Sequence, residues 1–109
     1  MARLPGTENE QSKVTNVLRA IGNSKRLRIL NELANGGERS VSELEAIISN
    51  HSRSALSQHL SRLRRANIVR TQRESQTIYY SIEDTDVLRI LRLLPHIYDH
   101  DPVMRPRRH

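Results

Sequence analysis

The chain of 109 residues contains no cysteine, no phenylalanine and no tryptophan. Without cysteine there can be no disulfide, thiolate metal ligand, iron–sulfur cluster or thiol redox chemistry. The only aromatics are three tyrosines, so the core must be built from Leu, Ile, Val and Ala, which favours helices over an aromatic-rich β-sandwich. No apolar run approaches the ~18 residues of a membrane span. The opening MARLPGTENEQSK also lacks the apolar stretch of a secretory leader, so a cytoplasmic protein with no membrane partner is expected. The length suits one domain over residues 1–109 and excludes a large multi-domain enzyme.

Carboxylates are missing from one stretch in particular. Between His51 and Arg73 there are six arginines (Arg53, Arg62, Arg64, Arg65, Arg70 and Arg73) and no Asp or Glu, which accounts for the whole formal charge of +6. The remaining residues balance at twelve cations against twelve carboxylates. A localised basic block of this kind points to a polyanion, most often nucleic acid.

Thr7-Glu8-Asn9-Glu10 has the spacing of a capping box, which predicts a helix from about residue 8 to 21 with Val14, Val17, Leu18 and Ile21 on one stripe. Ser24 is placed to cap a second helix, with Leu27, Leu30, Leu33 and Ala34 inward, Lys25, Arg26 and Arg28 outside, and Gly36-Gly37 as the stop. Ser40-Val41 allows only an edge-strand stub. Ser42-Glu43-Leu44-Glu45 reads as a capping box for a short helix burying Leu44, Ile47 and Ile48 and ending near Ser49-Asn50. Ser52 or Arg53 then starts another helix, over 52–66. Its Ala55, Leu56, Leu60 and Leu63 form one face, and Ser54, Ser57, Gln58, Ser61, Arg62 and Arg65 form the other. Two short helices with a tight join suggest helix-turn-helix.

Ile68–Arg73 and Thr77–Ile82 are β-prone runs around Glu74-Ser75-Gln76, a hairpin over 68–82. Asp84 is placed to cap a last helix, about 84–98, with Val87, Leu88, Leu91 and Leu94 inward and Pro95 interrupting it. The tail 103–109, carrying Arg105, Arg107 and Arg108, has little to bury and is expected to be mobile. The fold class is therefore mainly α with a small β-hairpin wing, in the order helix, helix, short strand, helix, helix, hairpin, helix: a winged helix-turn-helix. So small a core cannot cover both terminal stripes, which predicts a homodimer packed through the terminal helices.

The segment Ser52-Arg-Ser-Ala-Leu-Ser-Gln-His-Leu-Ser-Arg-Leu-Arg65, followed by Ile68-Val-Arg and Arg73-Glu-Ser-Gln-Thr-Ile-Tyr-Tyr-Ser81, resembles the ArsR/SmtB family of bacterial regulators. With Asn23-Ser-Lys-Arg-Leu-Arg-Ile-Leu30, the resemblance covers roughly residues 14–100. It implies a dimeric transcriptional regulator, usually a repressor, that binds double-stranded DNA at an inverted-repeat operator.

A recognition helix needs short donors and acceptors near its N-terminus, and Arg53, Ser54, Ser57 and Gln58 stand there. Gln58 suits a bidentate pair with adenine. Arg53 suits guanine or a phosphate, and the serines let the backbone approach closely. Arg62, Arg64, Arg65 and Arg70 suit phosphates, while Gln72, Arg73, Gln76 and Thr77 place a thin wing against the minor groove. His59, beside apolar Leu60, reads as a packed structural residue rather than a base contact.

Members of the family often sense metal through cysteines, excluded here, or through a D-x-H and H-x-x-[HE] set on the last helix, joined across the dimer. Asp84 matches the first position, but Asp86 replaces the usual His, and His96 and His100 stand i, i+4 with Ile97 between them. The plainer reading has Asp84 capping the helix and Asp86 complementing its dipole, so no metal and no cofactor is expected. An atypical zinc-responsive repressor is the alternative, and no effector is named by the sequence. Nor is an enzyme expected: Ser57 and His59 lie two apart on a helix and point in different directions, and no nucleotide loop is present. Readers of RNA loops rely on stacking aromatics, which are limited here to Tyr79, Tyr80 and Tyr98.

Overall fold

The structure is a computed structural model and describes residues 12–48 and 50–104. In chain order it contains α1 (Lys13–Ile21), α2 (Ser24–Gly36), β1 (Arg39–Ser40), α3 (Val41–Ile47), α4 (Arg53–Arg65), β2 (Val69–Glu74), β3 (Thr77–Ile82), α5 (Thr85–Ile97) and a 3₁₀ turn, Pro102–Met104. The expected element order is the observed one.

Helix starts are set by side-chain oxygens that take orphan amides. Ser12 caps α1, with Thr15 N donating to its Oγ at 3.0 Å. The Thr7–Glu10 box lies outside the described residues. Asn23, rather than Ser24, caps α2: its backbone is extended and its Oδ1 accepts from both Lys25 N and Arg26 N at 3.0 Å. The capping box of α3 is also displaced by two residues from Ser42–Glu45. Ser40 Oγ accepts from Glu43 N at 3.1 Å, and Glu43 Oε1 accepts from Ser40 N at 2.9 Å. Val41 thereby enters the helix, and Ser42 and Glu45 are left to bond elsewhere. Gly37 closes α2 with φ of 81°, a left-handed conformation that a side chain would strain.

The buried core lies where α2 and α4 meet. Ile29 and Leu30 of α2, Leu44 of α3 with the following Ile48, and Leu56, Leu60 and Leu63 of α4 are inaccessible or nearly so, with Ile68, Val87 and Leu91 closing the cluster. Leu27 and Ala34 are only half-buried against it, whereas Ile29, not expected inward, is fully covered. Ile47 is likewise half-buried.

The sheet order is β1-β3-β2, antiparallel throughout. Register runs from Val69↔Ile82 to Glu74↔Thr77, leaving Ser75 and Gln76 as a two-residue tip. Ser75 takes φ of 59° without a glycine. A positive φ at the first central residue suits the right-handed twist of a hairpin.

Two expectations near the C-terminus are corrected. Pro95 does not interrupt α5, which continues to Ile97 and closes with Tyr98 N donating to Leu94 O at 2.8 Å. Standing in the last turn, the proline forfeits only its own amide bond, and the turn that follows remains closed. Nor is the start of the tail loose: Val103 and Met104 lie in the 3₁₀ turn against α2, with Asn31 Nδ2 donating to Val103 O at 2.8 Å. Arg105, Arg107 and Arg108 lie outside the described residues.

Candidate nucleic-acid interface

α3 and α4 are joined by a turn in which Asn50 takes φ of 69°, and Ser52 caps α4 by accepting from Ala55 N at 3.0 Å. Anchoring Leu56, Leu60 and Leu63 in the core fixes the rotation of α4 about its axis. The opposite face then presents Ser54, Ser57, Gln58, Ser61, Arg62 and Arg65, all exposed, as the residue spacing predicts. Arg53 is also exposed but not idle. Its guanidinium donates to Ser42 Oγ at 2.6 Å and pairs with Glu45 Oε1 at 3.3 Å, tethering α4 to α3.

The residue that sequence reasoning misplaced is Arg26. It is 8% exposed, not on the outer face. Its Nε donates to Ala20 O at 2.6 Å and one terminal nitrogen to Arg19 O at 3.4 Å. The guanidinium thus sits on the last turn of α1, where the helix dipole presents negative partial charge. Its other terminal nitrogen lies 3.5 Å from His59 Nδ1, so one buried cation joins α1, α2 and α4. The signal was present, since Arg26, Ile29, Leu30 and Leu33 form one i, i+3, i+4, i+7 stripe.

His59 is half-buried, as a packed histidine should be. Burial, then Arg26, His51, Lys25 and Arg62, hold its imidazole below the ordinary histidine range. Burial, then Lys25 and Arg28, do the same to His51, whose Nδ1 is covered without a partner. An open hollow of about 600 Å³ runs along the exposed side of α4, lined by its serines, Gln58 and His59 together with Arg26, Arg62 and Arg65.

The hairpin follows α4 directly, with Ile68 N bonded to Leu63 O at 3.0 Å. Gln72, Arg73, Gln76 and Thr77 are exposed towards its tip. Arg70 is turned back on the sheet, its Nε 3.3 Å from Ser81 Oγ and 4.0 Å from Glu83 Oε1.

Within the chain, the carboxylates at the start of α5 have other partners. Asp84 Oδ1 accepts from Asp86 N at 2.9 Å and Val87 N at 3.2 Å, and its Oδ2 meets Lys13 Nζ at 3.1 Å. Burial raises its pKa, but the Lys13 bond and the two amides outweigh this and hold it below the usual carboxylate range. Asp86 lies 3.4 Å from Arg89, and His100 Nε2 lies 3.5 Å from Asp99. Among the described residues no three His, Cys, Asp or Glu are grouped as metal ligands would be, and no helix is long and apolar enough to cross a membrane.

A helix-turn-helix pair followed by an antiparallel hairpin, with a polar, arginine-bearing second helix, defines the winged helix-turn-helix class of DNA-binding regulators. Residues 23–71 match the family described as bacterial regulatory protein, arsR family. The chain is 44% identical over 102 residues to the nodulation protein NolR of Rhizobium meliloti, covering 93% of this chain and 82% of that one. It is 41% identical over 91 residues to the transcriptional activator HlyU of Vibrio cholerae, covering 84% and 82%. The crystal structure of NolR from Sinorhizobium fredii superposes with a TM-score of 0.73 at 43% identity, covering 90% of this chain and 97% of that one. The chain belongs to the ArsR family, whose members are DNA-binding transcriptional regulators and not enzymes.

Proposed function

We propose that the chain is a homodimeric repressor that binds an inverted-repeat operator in duplex DNA. The helix over 52–66 enters the major groove and the hairpin over 68–82 acts as the wing. The observation that carries this reading is the exposed face of α4, where Ser54, Ser57, Gln58 and Ser61 stand beside Arg62 and Arg65 with no carboxylate among them. Short hydroxyls permit close approach, Gln58 offers the paired donor and acceptor that adenine requires, and the arginines meet phosphates. Arg53 reaches DNA once it leaves Ser42 and Glu45. Gln72, Arg73, Gln76 and Thr77 supply the wing contacts.

Dimerisation is supported by apolar side chains that the fold leaves in water at both ends of the chain: Val14 at 67% and Leu18 at 55% exposure on α1, Leu93 at 56% and Ile97 at 57% on α5. A two-fold pair of recognition helices requires a palindromic operator with half-sites about one helical turn or a multiple apart. Asp84, Asp86, His96 and His100 are read as cap, dipole partner and surface residues, with no metal.

The test is the double substitution Ser57→Ala, Gln58→Ala, assayed by fluorescence anisotropy on the duplex that the wild type enriches from a randomised pool. Loss of sequence preference with the circular dichroism melt unchanged is expected. Unchanged operator affinity would remove α4 as the reading helix. A promoter-reporter assay with and without the chain reads the direction of regulation.

A further inference from the structure

Along the exposed face of α4 runs a cationic hollow whose floor, Arg26 and His59, has no part in the proposed base reading. Its floor is Arg26, 8% exposed, and the half-buried His59; its rim is Arg62 and Arg65, both exposed. Ser54, Ser57, Gln58 and Ser61 complete it, and no carboxylate lines it. The charge of Arg26 is met from the protein side by the neutral carbonyls of Arg19 and Ala20, and it is repelled by Arg62. A guanidinium fork beside an imidazole and two further guanidinium groups is chemistry for an oxyanion rather than for a base edge.

We propose that this hollow is a seat for a phosphate oxyanion of the DNA backbone on the flank of the recognition helix, and that His59 becomes a cationic donor to it when the seat is filled. The proposal rests on the DNA-binding reading and adds to it a site and a proton. Among the described residues, the charged or titratable groups that act on His59 are cations or can become so: Lys25 and Arg26 from α2, His51 from the turn before α4, and Arg62 from α4 itself. Together with burial they keep the imidazole neutral, and its Nδ1 lone pair faces Arg26 at 3.5 Å, the outer limit of a hydrogen bond. A phosphate replaces this repulsion with attraction. The imidazole then takes a proton from solvent on its free nitrogen lone pair, and the weak Arg26 contact gives way to bonds from both groups to the anion. Binding consumes a proton, so affinity rises as pH falls through the histidine range.

The experiment is a proton NMR titration of the His59 ring in the full-length protein, at matched ionic strength, alone, with the enriched duplex, and with inorganic phosphate. The midpoint is expected to rise with duplex and to stay in place with inorganic phosphate. In parallel, wild-type affinity should improve about three- to tenfold between about pH 8 and about pH 6, since one proton is worth at most tenfold per pH unit. His59→Gln should abolish most of that gain and His51→Gln should keep most of it. Arg62→Gln, changed at an exposed position, keeps the fold, weakens binding and flattens the salt dependence. An unmoved midpoint in duplex, or a full pH gain in His59→Gln, overturns the seat. A rise with inorganic phosphate but not with duplex overturns its assignment to DNA. Failure to enrich any sequence from the pool would instead remove the operator reading itself.

Discussion

At the scale of single residues, Arg26 and the two histidines show how a charge is held inside a small fold. Arg26 is tolerated because three groups accept or face its N–H donors and the end of α1 carries complementary partial charge. Arg26→Ala leaves the terminal carbonyls of α1 without this donor, and a loss of about 1–3 kcal/mol in urea unfolding is expected. His51 and His59 are both held below the ordinary histidine value when folded. The unfolded chain therefore binds more protons than the folded one below about pH 6.5. Stability should be insensitive to pH above that point and fall as pH drops through it. Melts recorded across this window check the sign, and a double His51→Gln, His59→Gln variant should lose most of the slope. The histidine positions were plain from sequence. Their shared electrostatic setting was not, since it depends on α2 and α4 lying side by side.

At the scale of elements, the apolar periodicities of α2, α4 and α5 were legible because one face of each helix must meet the core. The caps were less so. Asn23 displaced Ser24, and Ser40–Glu43 displaced Ser42–Glu45, because several residues near each helix start can cap it and tertiary placement chooses among them. Ser42 and Glu45 are committed to Arg53 instead. Because this exposed tether is given up on DNA and Leu44 and Ile48 keep α3 packed on α4, Arg53→Ala should keep the fold and weaken operator binding through the lost DNA contact alone, as read by anisotropy. Asp84 gives α5 two amide bonds. Asp84→Ala should lower stability by about 1 kcal/mol in thermal or urea melts. Zinc should leave both the melt and operator affinity of the wild type unchanged; zinc-driven release of DNA would return Asp84 and His100 to a ligand role.

At the scale of the whole molecule, the exposed apolar residues of α1 and α5 are the strongest departure from a self-sufficient core. Lys13 and Asp84 already join the two terminal helices by an ion pair, bringing the beginning of one close to the beginning of the other. Leu18→Asp combined with Leu93→Asp should give a folded monomer in sedimentation velocity that has lost most operator affinity, because two half-sites are no longer engaged together. A variant that remains dimeric would place the interface elsewhere. The 3₁₀ turn carrying Val103 was not foreseen, since the bond from Asn31 that holds it spans most of the chain.

The sequence by itself determined the order of elements, the face of α4 turned to solvent and the absence of thiol chemistry, because helical spacing, strand-prone runs and residue inventory act locally. Only the tertiary structure decided that Arg26 lies inside, that Arg53 is held by α3, that His59 is ringed by cations, and that α5 runs through Pro95. Most of these depend on which distant groups meet, and a buried charge is stable only where packing brings its partners to it.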